Sequence, residues 1–290
     1  MKLRMYHRKD AFSALWFLAP SLIGFAIFYV VPFAEGMYYS FLDAPMHGSF
    51  VGLANYKELF QSDSFRKAAL NTLLFTAVSV PLMLLLSLLL ALLLNQNAYF
   101  RKWMRTAYVM PLVVPVASIV LIWQALFDWN GAVNAWFVDL GWARIDWMKS
   151  EWAFGVLVVV YLWKNIGYNI ILFLAGLQSI PKDYYETAYL EGAGPLRRFT
   201  SITLVYLTPT MFFVVLMSVL NSFKVFRETH LIAGDYPHDS IYMLQHYMNN
   251  GFQSLDLQKL SSAAVVMVAC ILLGVSVFFW LEHRFRQFME

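Results

Sequence analysis

The 290-residue chain has a single cysteine, Cys270, and very little charge: 13% of its residues are Asp, Glu, Lys or Arg. One thiol excludes an intramolecular disulfide and any cysteine-rich metal site, and Cys270, inside an apolar stretch, reads as a small packing residue. The charge deficit excludes more, because soluble domains carry about 25% charged residues. A formal charge of +3 is too small to imply a nucleic-acid partner. There is no G-x-x-x-x-G-K-[ST] string, so the chain does not hydrolyse ATP by that route. No carboxylate pair lies inside the apolar runs, which argues against an intramembrane hydrolase or a proton pump. The six histidines (His7, His47, His230, His238, His246, His283) show no metal-ligand spacing and read as solvated residues of loops and termini. No fixed-period repeat and no low-complexity linker is present.

What the chain has in quantity is hydrophobicity: 60% apolar residues, and aromatics at 18%, against about 45–50% apolar in a soluble domain. Crossing a bilayer takes about 20 apolar residues in a helix. Windows nearly free of charge supply six such segments, at about 12–33, 70–95, 106–127, 155–178, 200–224 and 260–281. Each must be helical, since lipid offers no partner to a bare backbone. The expectation is therefore an all-α polytopic membrane protein, a single transmembrane domain over 1–290. The second window ends in the polar Asn95-Gln96-Asn97. The first begins after Lys2, Arg4, Arg8 and Lys9, but it is too long for a cleaved signal and contains Pro20 and Pro32, so it reads as retained. Pro81, Pro111 and Pro115 interrupt the second and third, where each removes one helical donor.

Six spans put both termini on one side, and Lys and Arg in short loops decide which side. One set of segments holds Lys2, Arg4, Arg8, Lys9, Arg101, Lys102, Arg105, Lys182, Arg197, Arg198, Arg284 and Arg286; the other holds Lys57, Arg66, Lys67, Arg144, Lys149 and Lys259. Twelve against six predicts cytoplasmic termini. Most of Trp129, Trp136, Trp142 and Trp147, on an outward segment, read as interfacial anchors, with contact to a soluble partner as the alternative.

Between the fourth and fifth windows, local rules predict a helical elbow. Pro181 and Asp183 suit a helix start, which gives a helix over about 182–191; Gly192-Ala193-Gly194-Pro195 then breaks it. A second helix starts near Leu196. The elbow would present Ala188 and Gly192, small enough to admit another protein's surface, with Arg197 and Arg198 snorkelling to headgroups.

Polar residues at membrane depth call for a use. Tyr161, Lys164, Asn165 and Tyr168 share one helical face by their i, i+3, i+4, i+7 spacing, and Ser218, Asn221 and Ser222 share another. Two such faces flanking the elbow suit either a translocation path or hydrogen bonding between helices. No acidic residue lies three or four positions from Lys164. Pairing with an anionic solute, pairing with another chain's carboxylate, and snorkelling all remain open for it.

The elbow carries a resemblance. Glu186-Thr187-Ala188, then Glu191-Gly192-Ala193, then Phe199 and Ile202-Thr203-Leu204 resemble the EAA loop by which membrane subunits of bacterial ABC importers dock onto their ATPases. Thr187, Glu191 and Val205 depart from that pattern. The string Gly52-Leu53-Ala54-Asn55-Tyr56, and Trp123 through Gly131 to Asn134, are similar to stretches of carbohydrate-uptake permeases of the maltose, multiple-sugar and glycerol-phosphate class. At 232–237 the chain reads Ile-Ala-Gly-Asp-Tyr-Pro, where many relatives have a Gly-Gly-Pro turn.

The resemblance implies a type I importer permease in the bacterial cell membrane. It implies an ATPase-coupling surface at Glu186, Ala188, Glu191, Gly192, Ala193 and Pro195. It implies a substrate pathway along Tyr161, Lys164, Asn165, Tyr168, Ser218, Asn221 and Ser222. The partners it implies are a second permease, a cytoplasmic ATPase dimer that holds ATP and Mg, an extracellular substrate-binding protein, a carbohydrate and membrane lipid. No metal or cofactor belongs to this chain on that reading. An anionic solute such as a phosphorylated polyol is the alternative cargo, favoured by Lys164 and Lys224. A stand-alone secondary transporter is the alternative class, and would show repeat symmetry or intramembrane carboxylates.

Overall fold

The computed structural model describes residues 2–44, 48–95 and 101–287. Pro45, His47, Gln96 and Asn97 lie outside the described residues. The side chains of Lys2, Arg4, His7, Arg8, Lys9, Arg101, Lys102, Arg105 and Arg286 likewise lie outside them.

Among the described residues all regular structure is helical apart from one isolated bridge, Leu42 with Phe50. Six helical segments are long and apolar enough to cross a membrane: Trp16–Tyr39, Asp63–Asn95, Val116–Asp139, Trp152–Ser179, Pro195–Ala233 and Leu257–Arg284. Hydropathy fixes their number. Pro32 and Pro115 mark two of the places where the helices depart from regular α geometry.

The chain divides into two compact units. The first comprises Met1–Ser62 with Gly251–Ala269. Here α1 (Lys2–Phe25) passes through a π-helical turn, Ala26–Val30, into α2 (Val31–Tyr39). The wider turn sits just before Pro32, whose missing N–H makes an α-helical continuation costly. No residue in the apolar window of Trp16–Tyr39 is buried. After Gly52, at φ +60°, α3 (Ala54–Gln61) begins. Its Asn55 donates to the carbonyls of Ser40 (2.9 Å) and Leu42 (2.8 Å), and Tyr56 shares a 2.7 Å hydrogen bond with Ser40. The Gly52–Tyr56 string is thus a polar clasp on the end of α2. Lys259 pairs with Glu58 at 3.0 Å in the same unit.

The second unit comprises Asp63–Asn250 with Cys270–Glu290. Its centre is α8 (Trp152–Ser179), packed against α4 (Asp63–Asn95), α5 (Arg101–Val113) and α11 (Leu204–Phe223). One core joins Phe75, Met83, Leu157, Tyr161, Ile241 and Met243; another joins Ala91, Leu94, Ile170, Phe173, Leu207 and Val214. The third expected span, 106–127, is two helices, α5 and α6 (Val116–Phe127). The break falls at Pro115, extended at ψ 138°, whereas Pro81 and Pro111 sit inside continuous helices. Pro115 caps α6, a position where its absent N–H costs nothing.

Helix α7 (Ala132–Asp139) opens at Gly131 and carries the fully buried Asn134. The Asn134 amide donates to the carbonyls of Asp128, Trp129 and Ile145, and its oxygen accepts from the Ile145 N–H (3.0 Å) and the Trp147 indole (3.1 Å). Trp147 is buried by this bond and packs on Phe127 and Phe137. It is therefore a core residue and not an interfacial anchor; Trp129, Trp136 and Trp142 are exposed. Helix α14 (Leu257–Gln287) is the last, and Cys270 on it is exposed. An apolar window identifies a span but not the side of it that packs, and Cys270 does not pack within this chain as expected.

Candidate functional site: a polar pocket and a helical elbow

Between α8 and α11 comes the elbow. Pro181 is not in the first turn but is its cap, extended at ψ 134°, and α9 (Lys182–Leu190) follows with Asp183 in its first turn. The Ala193 N–H returns to the Ala188 carbonyl at 2.8 Å and Gly192 N–H to Tyr189 at 3.0 Å, closing the helix through Gly192 at φ +81°. That conformation favours glycine. Pro195 then opens α10 (Pro195–Arg198), which runs through a π-helical turn, Phe199–Thr203, into α11.

The elbow is braced by Tyr185, hydrogen-bonded to Thr203 at 2.9 Å, by Tyr184 against Tyr206, and by the Arg198 guanidinium over the Tyr189 ring. Arg198 is thus half-buried against its own elbow. Glu186, Glu191, Gly192 and Pro195 are exposed, and Ala188 and Ala193 are half-buried. A surface hollow of about 550 Å³ runs along α9, lined by Pro181, Tyr184, Thr187, Ala188 and Glu191 among others. Beside it Tyr189 and Leu190 project at 68% and 85% exposure. Small-residue spacing in the sequence does not point to these two; the signal for them is an apolar pair at the end of a polar loop helix.

The polar residues of α8 and α11 divide into two groups. Tyr161, Lys164, Asn165 and Asn221 line a cavity of about 100 Å³, with Lys224, Val225, Arg227 and Glu228 completing its wall. Ser218 and Ser222 turn away into helix packing. The Ser218 hydroxyl accepts from Asn169 at 3.1 Å, its carbonyl accepts from Tyr161 at 2.7 Å, and Ser222 shares a 2.8 Å bond with Thr76 of α4. Both serines are buried. Tyr168 does not line the cavity. Helical spacing places residues on one face, but it does not say which part of that face meets a neighbour.

Lys164 is ion-paired with Glu228, at 20% and 5% side-chain exposure. Glu228 lies in the first turn of α12 (Phe226–Ala233), after the break at Lys224-Val225. Sixty-four residues separate the pair, so no local spacing rule could have found it.

Near α12, His246 on α13 (Leu244–Gln253) is fully buried, with Phe226 at 4.7 Å and His230 at 6.5 Å between ring centroids. It is not the solvated loop residue expected, because the segment after Tyr242 folds back onto α4 as a helix. Burial, and secondarily the neighbouring His230, push its pKa down to about 4, while Asp235 acts in the opposite direction. No group of three or more His, Cys, Asp or Glu residues suited to a metal occurs among the described residues.

These features belong to a transport protein. The chain is a member of the family described as binding-protein-dependent transport system inner membrane components, whose model matches residues 83–290. It is the membrane-spanning permease of an ATP-binding-cassette importer, a non-enzymatic subunit. Among its relatives is the sulfoquinovosyl glycerol permease SmoG of Agrobacterium fabrum, 33% identical over 93% of this chain and 90% of that one. Another is the sn-glycerol-3-phosphate permease UgpA of Yersinia pestis, 31% identical over 96% and 98%. The fold matches a chain of a bacterial ABC transporter that imports the acidic polysaccharide alginate, with a TM-score of 0.84 over 98% of this chain and 99% of that one at 23% identity.

Proposed function

We propose that this permease, with a second permease subunit, forms the pathway by which a carbohydrate or carbohydrate-derived solute enters the cell after release from an extracellular binding protein. A cytoplasmic ATPase dimer docks on the α9–α10 elbow and holds the ATP and Mg. Both termini then face the cytoplasm, in accord with the Lys and Arg bias. The observation that carries the cargo reading is the pocket at Tyr161, Lys164, Asn165 and Asn221, midway along α8. The Asn221 amide is free to meet a hydroxyl, since no other side-chain hydrogen bond engages it among the described residues. The relatives' names, a sulfoquinovosyl glycerol and a glycerol-phosphate permease, lend it weight.

The coupling half follows from the hollow along α9 and its exposed rim at Tyr189 and Leu190. Ala188→Trp fills the hollow and Leu190→Glu puts charge on the rim. Both are expected to abolish copurification of the ATPase while membrane insertion stays normal, because Ala188 and Leu190 lie outside the apolar segments. Normal copurification with both variants would make the elbow an interfacial helix only. Asn221→Ala removes a hydrogen bond worth about 0.5–1.5 kcal/mol. It is expected to raise the half-saturating solute concentration for uptake by up to about tenfold, with ATPase association intact.

A further inference from the structure

The pocket is not neutral. Lys164, Lys224 and Arg227 face one carboxylate, Glu228, across about 100 Å³. Lys164 and Glu228 are paired and largely sealed from solvent. Lys224 and Arg227 are exposed and form no ion pair among the described residues. A buried ion pair about breaks even against a well-packed apolar pair, so stability gives no reason for one here. Two further cations beside it leave the pocket with an excess of positive charge, and low-dielectric walls strengthen that field.

From this juxtaposition, which rests on the pathway reading above, we infer that the pocket is an oxyanion subsite. The cargo is a carbohydrate or polyol bearing a phosphate, sulfonate or carboxylate, and Glu228 is the resident anion that it displaces from Lys164. In the empty pocket Glu228 neutralises Lys164. An arriving oxyanion takes that position, with Lys224 and Arg227 adding charge and Asn221 free for a neighbouring hydroxyl. When the solute moves on, the carboxylate returns, so the lysine is never left bare. The competition keeps the site from holding its anion too tightly, as transport requires. A neutral sugar would use only the two asparagines and would gain nothing from three cations.

Inorganic phosphate is the probe. In the complete purified importer, phosphate is expected to raise the unfolding temperature above that in chloride at equal ionic strength. Glu228→Gln removes the internal competitor. It is expected to lower stability in chloride, and to be rescued by phosphate at concentrations below those the wild type needs. Glu228→Gln combined with Lys164→Met replaces the pair with neutral side chains, which folded proteins tolerate, and is expected to weaken phosphate binding by about tenfold or more, the loss of one charged hydrogen bond. Equal unfolding temperatures in phosphate and chloride for both the wild type and Glu228→Gln would overturn the subsite.

Importer-containing vesicles supplied with binding protein and a polar metabolite extract test the cargo. Accumulation of acidic carbohydrates, lost in the double variant, supports the inference. Accumulation of neutral sugars that is unchanged in the double variant overturns it and leaves the carbohydrate importer standing. Failure of any ATPase to copurify would instead remove the pathway reading on which it rests.

Discussion

Asn134 shows how much one side chain can hold in place. Its amide serves five backbone and indole groups spread over residues 128–147. Each buried group left without a partner costs about 1–3 kcal/mol. Asn134→Ala is therefore expected to destabilise the unit by at least about 2 kcal/mol and to expose Trp147, read as a red shift in its fluorescence and as cleavage of the 140–150 segment by added protease. His246 sets a pH limit. A histidine with a folded value near 4 and an unfolded value of about 6.5 binds its proton more weakly when folded. Stability is then full above about pH 6.5 and declines as the pH falls toward 4, by about 3 kcal/mol in all. His246→Gln is expected to flatten that decline in a thermal melt taken across pH 4–7. Neither role was legible in the sequence. Asn134 stood out only within a turn string, and His246 only as a residue without metal-ligand spacing, since burial is set by segments far away in the chain.

At the scale of helices, close approach explains two glycines that composition alone leaves mute. A Cβ on Gly167 of α8 would run into the Tyr108 carbonyl of α5, whereas one on Gly176 would meet the Thr210 hydroxyl at 2.7 Å and a Leu207 methyl at 2.8 Å on α11. Backbone cannot swing aside and side chains can. Gly167→Ala is thus expected to cost more than Gly176→Ala, about 1–3 kcal/mol or above on the scale of overpacked cores, measured as the unfolding temperature of the purified chain in detergent. The elements themselves were readable, because apolar length and lipid leave only helix as an answer. Element ends were readable where Pro and Gly mark them, at Pro115, Gly192 and Pro195. Partnership was not. The i, i+3, i+4 face containing Ser218 and Ser222 is real, yet α8 and α4 cover it, and only Asn221 remains on the cavity.

For the molecule as a whole, charge asymmetry leads to an orientation that chemistry can check. In a Cys270→Ser background, cysteines at Asn55, Trp142 or Asp239 are expected to react with an impermeant thiol reagent applied to intact cells, and one at Leu190 is not. The reverse pattern would place the elbow outside and remove any contact with an ATPase. Cys270 must be replaced because it is exposed and would label in its own right wherever reagent reaches it. Count and composition of spans came from hydropathy, and family came from the elbow string; the oxyanion subsite came from neither, since Glu228 sits beyond the fifth window and meets Lys164 only once α12 has folded back.

The segment after α12 is fastened to α4 by bonds that reach far along the chain. Lys67 pairs with Asp239 at 2.7 Å, Asn71 donates to the carbonyls of Asp239 and Tyr242, and Thr72 accepts from the Leu244 N–H at 2.9 Å. About 170 residues separate the partners. At about 5–20 residues per second of translation, α4 waits roughly ten to thirty seconds for them. During that interval Asn71 and Lys67 reside in a helix whose native acceptors have not yet left the ribosome. Until residues 239–244 arrive, the polar start of α4 is served by water and headgroups at the membrane surface, while its apolar remainder is already long enough to span the bilayer. A chain stalled before residue 239 would lack this fastening, and the start of α4 would stay solvated and open to protease at the membrane surface.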